Sequence, residues 1–181
     1  AVPVRTARTR DDILLVAAEC RDLAKIGGLG DVVRDLAATF AAIGVRPRVI
    51  LPYYEVLDCV AEPVMDFGLD FAGEFFTVHL FRTLLPDGVP VYLVHSDRWF
   101  SGSYGTVYVN SGLLGHGPFE DDATRFAFFS AAVARLLLVC PEFAAIGTLH
   151  CHDWHMGPLF VILAHDPEYA VLFETLATFF T

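Results

Sequence analysis

Ile13-Leu14-Leu15-Val16-Ala17-Ala18 is an apolar run without alternation, and it constrains the fold more than any other stretch. A strand of this kind is covered on both faces, as in a parallel sheet held between layers of helices. Lys25-Ile26-Gly27-Gly28-Leu29-Gly30 follows it. Then comes the segment from Asp31 to Phe40, in which Val32, Val33, Leu36 and Phe40 recur at helical spacing. Three glycines within four positions let the backbone approach a ligand closely, and the N–H groups at a helix start favour an anion. Lys25 adds a mobile positive charge on the same side. The same turn would serve equally to reverse the chain. Its lysine precedes the glycines, so it matches neither G-x-G-x-x-G nor the P-loop pattern.

The helix is expected over 31–43, with Gly44 as its cap, and Arg46–Pro52 reads as a second strand. The first fifty residues are then a right-handed βαβ unit. Tyr53 to Asp66 reads as irregular connection. Phe75–Phe81 and Val89–Val94 flank Pro86-Asp87-Gly88 as a hairpin. Residues 96–119, rich in Gly, Ser, Tyr and Asn, read as a long surface loop of the kind that carries function. Glu120–Leu138 has a helical pattern that is apolar on most sides, which predicts burial, and Pro141 ends it. A strand at Ile146–Cys151, a helix at Met156–His165 and a strand beginning at Ala170-Val171-Leu172-Phe173 complete the series. Arg5, Arg8 and Arg10 are followed by Asp11 and Asp12 instead of an apolar core, so residues 1–12 read as a disordered leader and not a secretory signal.

The 181 residues are 55% hydrophobic and 19% charged, enough for one domain with a substantial core. A net charge of −10 argues against a nucleic-acid partner. No uncharged apolar run reaches the roughly 18 residues that span a bilayer, so no membrane is expected. The mean hydropathy of +0.51 then points to a buried sheet, or to a surface meant for another domain. Cys20, Cys59, Cys140 and Cys151 are scattered and read as reduced core residues of a cytosolic or plastid-like compartment.

His150, His152, Asp153 and His155 lie at the carboxyl end of an expected parallel strand, where open α/β sheets bind their ligands. The first βα turn opens on that same edge, so the two clusters are expected to share one crevice. The His-x-His-x-x-His spacing is not completed by a cysteine pair or a second carboxylate, and no metal is expected. Asp153 either caps the helix after it or accepts from sugar hydroxyls. Trp154 simply packs on the first reading, and His155 donates to a phosphate or hydroxyl on the second.

Six stretches, in order, resemble the bacterial glycogen synthases and plant starch synthases. Lys25-Ile26-Gly27-Gly28-Leu29-Gly30-Asp31-Val32 is similar to K-T-G-G-L-[GA]-D-V, and Val16-Ala17-Ala18-Glu19-Cys20 to the V-[AC]-[SA]-E stretch before it. Val49-Ile50-Leu51-Pro52 resembles R-V-[IL]-L-P, and Trp99-Phe100 with Gly102-Ser103-Tyr104 resembles the family's sugar-site loop. Arg125-Phe126 with Phe129-Ser130 is similar to R-F-x-x-[FL]-[SC]. His150-Cys151-His152-Asp153-Trp154-His155 is nearly identical to H-[AC]-[HN]-D-W-H.

The resemblance implies an α/β, Rossmann-like, doubly wound and mostly parallel sheet over 13–181, part of the N-terminal half of a GT-B glycosyltransferase. It implies a retaining transfer of glucose from ADP-glucose to the non-reducing end of an α-1,4-glucan, with no cofactor, in the cytoplasm or a plastid. Asp153, His155 and Asp31 would be the catalytic residues, and Lys25, Gly27, Gly28 and Tyr104 would meet the donor phosphate and glucosyl unit. The sequence departs from the family at Ile26 for threonine, at Asp122 for asparagine, and in residues 171–181, which lack the histidine of T-[IV]-H-N. The nucleotide-binding half would have to come from elsewhere, such as a second chain, and the 181 residues alone are expected to be inactive. The alternatives are a non-catalytic module that binds glucan or a partner, or a truncated homologue without activity.

Overall fold

A computed structural model describes residues 7–109 and 120–181. The expected leader residues 1–6 and loop residues 110–119 lie outside them. The elements are β1 (Thr9–Val16), α1 (Gly28–Ala42), β2 (Arg46–Pro52), β3 (Glu62–Phe71), β4 (Glu74–Leu84), β5 (Pro90–His95), the short α2 (Asp97–Phe100), α3 (Glu120–Val139), β6 (Ile146–Cys151), α4 (Gly157–His165), α5 (Ala170–Thr175) and β7 (Ala177–Phe180). The sheet order is β3-β4-β5-β2-β1-β6-β7. From β5 to β7 all neighbours are parallel, and β3 and β4 extend the β5 side as antiparallel strands.

Period two places successive β1 residues on opposite faces. Ile13 and Leu15 face one core with Val49, Leu51, Val91 and Leu93, under Val33 and Ala37 of α1. Leu14 and Val16 face the other with Ile50, Val94 and Leu149, under Phe126, Phe129, Val133 and Leu137 of α3, Leu159 of α4 and Leu172 of α5. Two helical layers on one parallel sheet make the fold α/β and doubly wound, as expected.

Four details differ from the sequence reading. β1 opens at Thr9, inside the segment read as leader, because buried Asp12 joins Arg46 and Arg48 at its start. Residues 62–66, read as irregular, open strand β3, which pairs with Glu74–Arg82 of β4 and buries Phe67 and Leu69 on one face. Val32 is 56% exposed, and α1 instead buries Val33, Arg34 and Ala37. Ala170–Phe173 is helix, and the strand of that region begins at Ala177.

Gly44 follows α1 with φ +86°, and Gly44 and Val45 donate to Ala41 and Phe40 carbonyls in the helix-ending pattern that favours glycine. Gly147 has a different reason to be glycine: a Cβ there would overlap the Thr9 carbonyl oxygen, where β1 and β6 shift register. Gly147→Ala is expected to cost about 1–3 kcal/mol, because backbone on both sides must move. Urea denaturation checks this, and an unchanged midpoint would mean that the two strands do not approach so closely.

Candidate active site

The chain passes from β1 to β2 and β5 on one side, then returns to place β6 on the other side of β1. The switch in strand order therefore lies between β1 and β6, and ligands of open α/β sheets bind in the crevice beyond such a switch. The loop after β1 carries Lys25, Gly27 and Gly28. The corner after β6 carries His152, Asp153, Trp154 and His155. Both expected clusters thus leave the same edge from adjacent strands.

On the β1 side, the Lys25 ammonium donates to both carboxylate oxygens of Asp31, at 2.8 and 2.7 Å. Arg21 bridges Asp31 and Asp35. Lys25 and then Arg21 hold the Asp31 carboxyl below its usual range. Gly27 is the N-cap of α1 and has no side chain to cap it. A remote carboxylate does this work: Glu19, 2% exposed, accepts from the amides of Ile26 and Gly27 at 2.7 and 2.8 Å. The helix start is therefore partly occupied already, and the donors left toward the crevice are those from Gly28 onward.

On the β6 side, Asp153 has φ +66° and ψ 172°, a conformation that is essentially glycine's own. Its carboxylate accepts from the Trp154 amide at 2.6 Å, so the capping alternative is realised, and the side chain is exposed. His155 is 2% exposed, and neither ring nitrogen has a partner. Burial lowers its pKa, against the opposing pull of Asp153, Glu19 and Asp122. Its ring packs on Trp154, Phe126 and Tyr108, at centroid distances of 4.2, 4.6 and 5.4 Å. Among the described residues, no group of three or more His, Cys, Asp or Glu is arranged to hold a metal.

Tyr104 lies in the segment read as a surface loop, but the described part of that loop is anchored inward. Phe100, Val107 and Val109 are buried. Arg125 of α3, fully buried, donates to the carbonyls of Trp99, Tyr104, Thr106 and Val107 and to the Asp122 carboxylate. Asp122, departing from the family's asparagine, also accepts from the Val109 amide at 3.2 Å.

Sequence reasoning missed Glu19 and Tyr108 as site residues. The Tyr108 hydroxyl donates to the second Glu19 oxygen at 2.6 Å. Glycine loop, Glu19, Tyr108 and His155 thus form one continuous chain of contacts across the crevice. The resemblance had already picked out Glu19 as the E of V-[AC]-[SA]-E. Tyr108 lay in a stretch without period and gave no signal.

Residues 12–181 match the family model described as starch synthase catalytic domain. The chain belongs to this family. Among its curated relatives, a glycogen synthase of Hydrogenobaculum sp. is 37% identical over 147 residues, covering 79% of this chain and 28% of that protein. A glycogen synthase of Moorella thermoacetica is 34% identical over 171 residues, covering 93% and 32%. The catalytic domain of starch synthase IV from Arabidopsis thaliana, solved with ADP and acarbose bound, superposes with a TM-score of 0.74 at 24% identity, over 93% of this chain and 33% of that one. That likeness establishes the fold. This member of the starch synthase catalytic domain family spans about a third of the length of the curated relatives it matches. Among the described residues, no helix is long and apolar enough to cross a membrane.

Proposed function

We propose that this chain forms the acceptor-side wall of a retaining glucosyltransferase that moves glucose from ADP-glucose to the non-reducing 4-hydroxyl of an α-1,4-glucan. The observation that carries the reading is the convergence, at the sheet's switch point, of a lysine-bearing glycine loop and a histidine–aspartate corner. Lys25 and the amides from Gly28 onward would face the departing diphosphate, where negative charge grows in the transition state. To reach it, Lys25 has to leave Asp31. Gly27 keeps that side of the loop free of side chain, and Asp31 borders it. Asp153 and His155 would meet glucosyl hydroxyls, and Tyr104 would lie against the glucosyl unit. A second domain or chain would supply the nucleotide-binding half, in the cytoplasm or a plastid.

Two measurements test this. Purified chain given ADP-[14C]glucose and glycogen is expected to incorporate only background label, and robust incorporation would overturn the divided site. Maltoheptaose is expected to change the fluorescence of Trp154, which stands 43% exposed at the corner. Asp153→Gly should abolish that response without unfolding the chain. Glycine relieves the backbone strain at this position, so Asp153→Gly is expected to be more stable than Asp153→Ala by about 1–3 kcal/mol. A folded wild-type chain that ignores maltoheptaose would overturn the acceptor-wall reading.

A further inference from the structure

We propose that Glu19 and Tyr108 are a positioning pair that locks the glycine loop and the His155 ring into one geometry, so that the two corners of the crevice order together. The proposal rests on the glucosyltransferase reading above and adds to it how the two halves of this wall are kept in register.

Glu19 is a buried carboxylate with no cation hydrogen-bonded to it among the described residues. A charge taken out of water is tolerated only when its acceptor sites are filled by good donors. Three donors fill them: the amides of Ile26 and Gly27 on one oxygen, and the Tyr108 hydroxyl on the other. Two come from the loop after β1, and the third lies 89 positions along the chain. One carboxylate therefore ties the loop after β1 to a segment far along the chain.

The tie reaches His155 through the Tyr108 ring. That ring stacks on the imidazole with the planes 27° apart. Both imidazole nitrogens lack hydrogen-bond partners, so packing alone sets where they point. Phe126 and Trp154 pin the ring from the other directions. The hydroxyl bond to Glu19, beside the edge contact with Phe126, holds the Tyr108 ring against sliding. Burial and then the Glu19 carboxylate hold that phenol protonated well above its ordinary range, so it stays a donor.

Tyr108→Phe tests the pair with the least disturbance, because it keeps the ring and its stacking and removes one hydroxyl that does not touch the loop. The amide hydrogens of Ile26 and Gly27 are expected to exchange about tenfold faster, the effect of losing about one charge-assisted hydrogen bond from the shared carboxylate. The His155 ring C–H resonances should shift at the same time. Trp154→Leu is the control: it removes a different neighbour of His155, one at the exposed corner, and should shift the ring resonances while leaving the two amides unchanged. Glu19→Gln, which keeps the side-chain size, should reproduce the acceleration at Ile26 and Gly27. Amides that exchange within twofold of wild type in Tyr108→Phe would overturn the proposal, as would equal acceleration in Trp154→Leu. Maltoheptaose binding is read separately. Coupled exchange without a glucan response keeps the positioning pair and removes the glucosyltransferase reading, and the reverse result removes the pair alone.

Discussion

Arg125→Met is expected to destabilise the chain by about 3–5 kcal/mol, the loss that follows when one partner of a buried ion pair is removed. Arg125 is 0% exposed and its partner Asp122 is 1% exposed, with the contact at 2.7 Å. Methionine matches the bulk of the arginine stem but leaves a buried carboxylate without its cation. It also strands the carbonyls of Trp99, Tyr104, Thr106 and Val107, which lie along the loop that presents Tyr104 and Tyr108. Urea denaturation followed by circular dichroism measures the cost. Asp122→Asn separates charge from geometry, since an amide oxygen can still accept from Arg125 and from the Val109 amide. That variant is expected to lose no more than about 1–2 kcal/mol, the scale of one weakened hydrogen bond. The double variant Arg125→Met with Asp122→Asn should recover part of the single loss, because no unpaired charge remains. An Arg125→Met midpoint indistinguishable from wild type would mean that the loop is held by its apolar contacts alone.

The parts of this protein legible in its sequence are those buried on both faces. β1, β2 and β5 hold short unalternating apolar runs, and β6 falls at the residues expected, Ile146–Cys151. α3 was legible because its apolar residues run all round the helix, as two-sided burial requires. β3 was not legible. It lies at the sheet's margin, its alternation is broken by Pro63 and Gly68, and most of its residues are partly or fully exposed. The run Val171-Leu172-Phe173 is too short to carry a period. It joins a short helix in which Leu172 is buried and Val171 packs against the same core, while Phe173 is 48% exposed. For the site, the sequence yielded the residues along the crevice and not the contacts across it. Lys25 was expected to be mobile, yet it lies against Asp31, and that pairing depends on how the loop turns back over α1. Glu19 and Tyr108 meet only after the loop beyond α2 folds onto α3, which no local pattern encodes.

Acidification should loosen the edge of the sheet through His152, with an effect of about 3 kcal/mol. His152 is 1% exposed at the end of β6, and its Nε2 has no hydrogen-bond partner. Its Nδ1 lies 3.1 Å from the Thr181 hydroxyl, and His150 stacks on it with ring centroids 4.2 Å apart. Burial, reinforced by the neighbouring His150, lowers its pKa to about 4. In the unfolded chain the imidazole titrates near 6.5. Above about 6.5 both states are neutral and stability does not depend on this group. Between about 6.5 and 4 the unfolded chain binds more protons than the folded one, so each fall in pH favours unfolding. Below about 4 both states are protonated and the loss is complete. The difference between the two values, at 1.36 kcal/mol per unit, sets the size of the effect at about 3 kcal/mol. β7 should release first, because its contacts at this end are to Cys151 and, through Thr181, to His150, His152 and Asp153. Urea midpoints measured from pH 7.5 to 4 should fall in wild type and fall less in His152→Asn, with amide exchange at Phe179 and Phe180 rising before exchange in β1. The comparison isolates His152 from His155, whose burial acts in the same direction. Parallel pH profiles for wild type and His152→Asn would show that His152 takes up its proton inside the fold without cost.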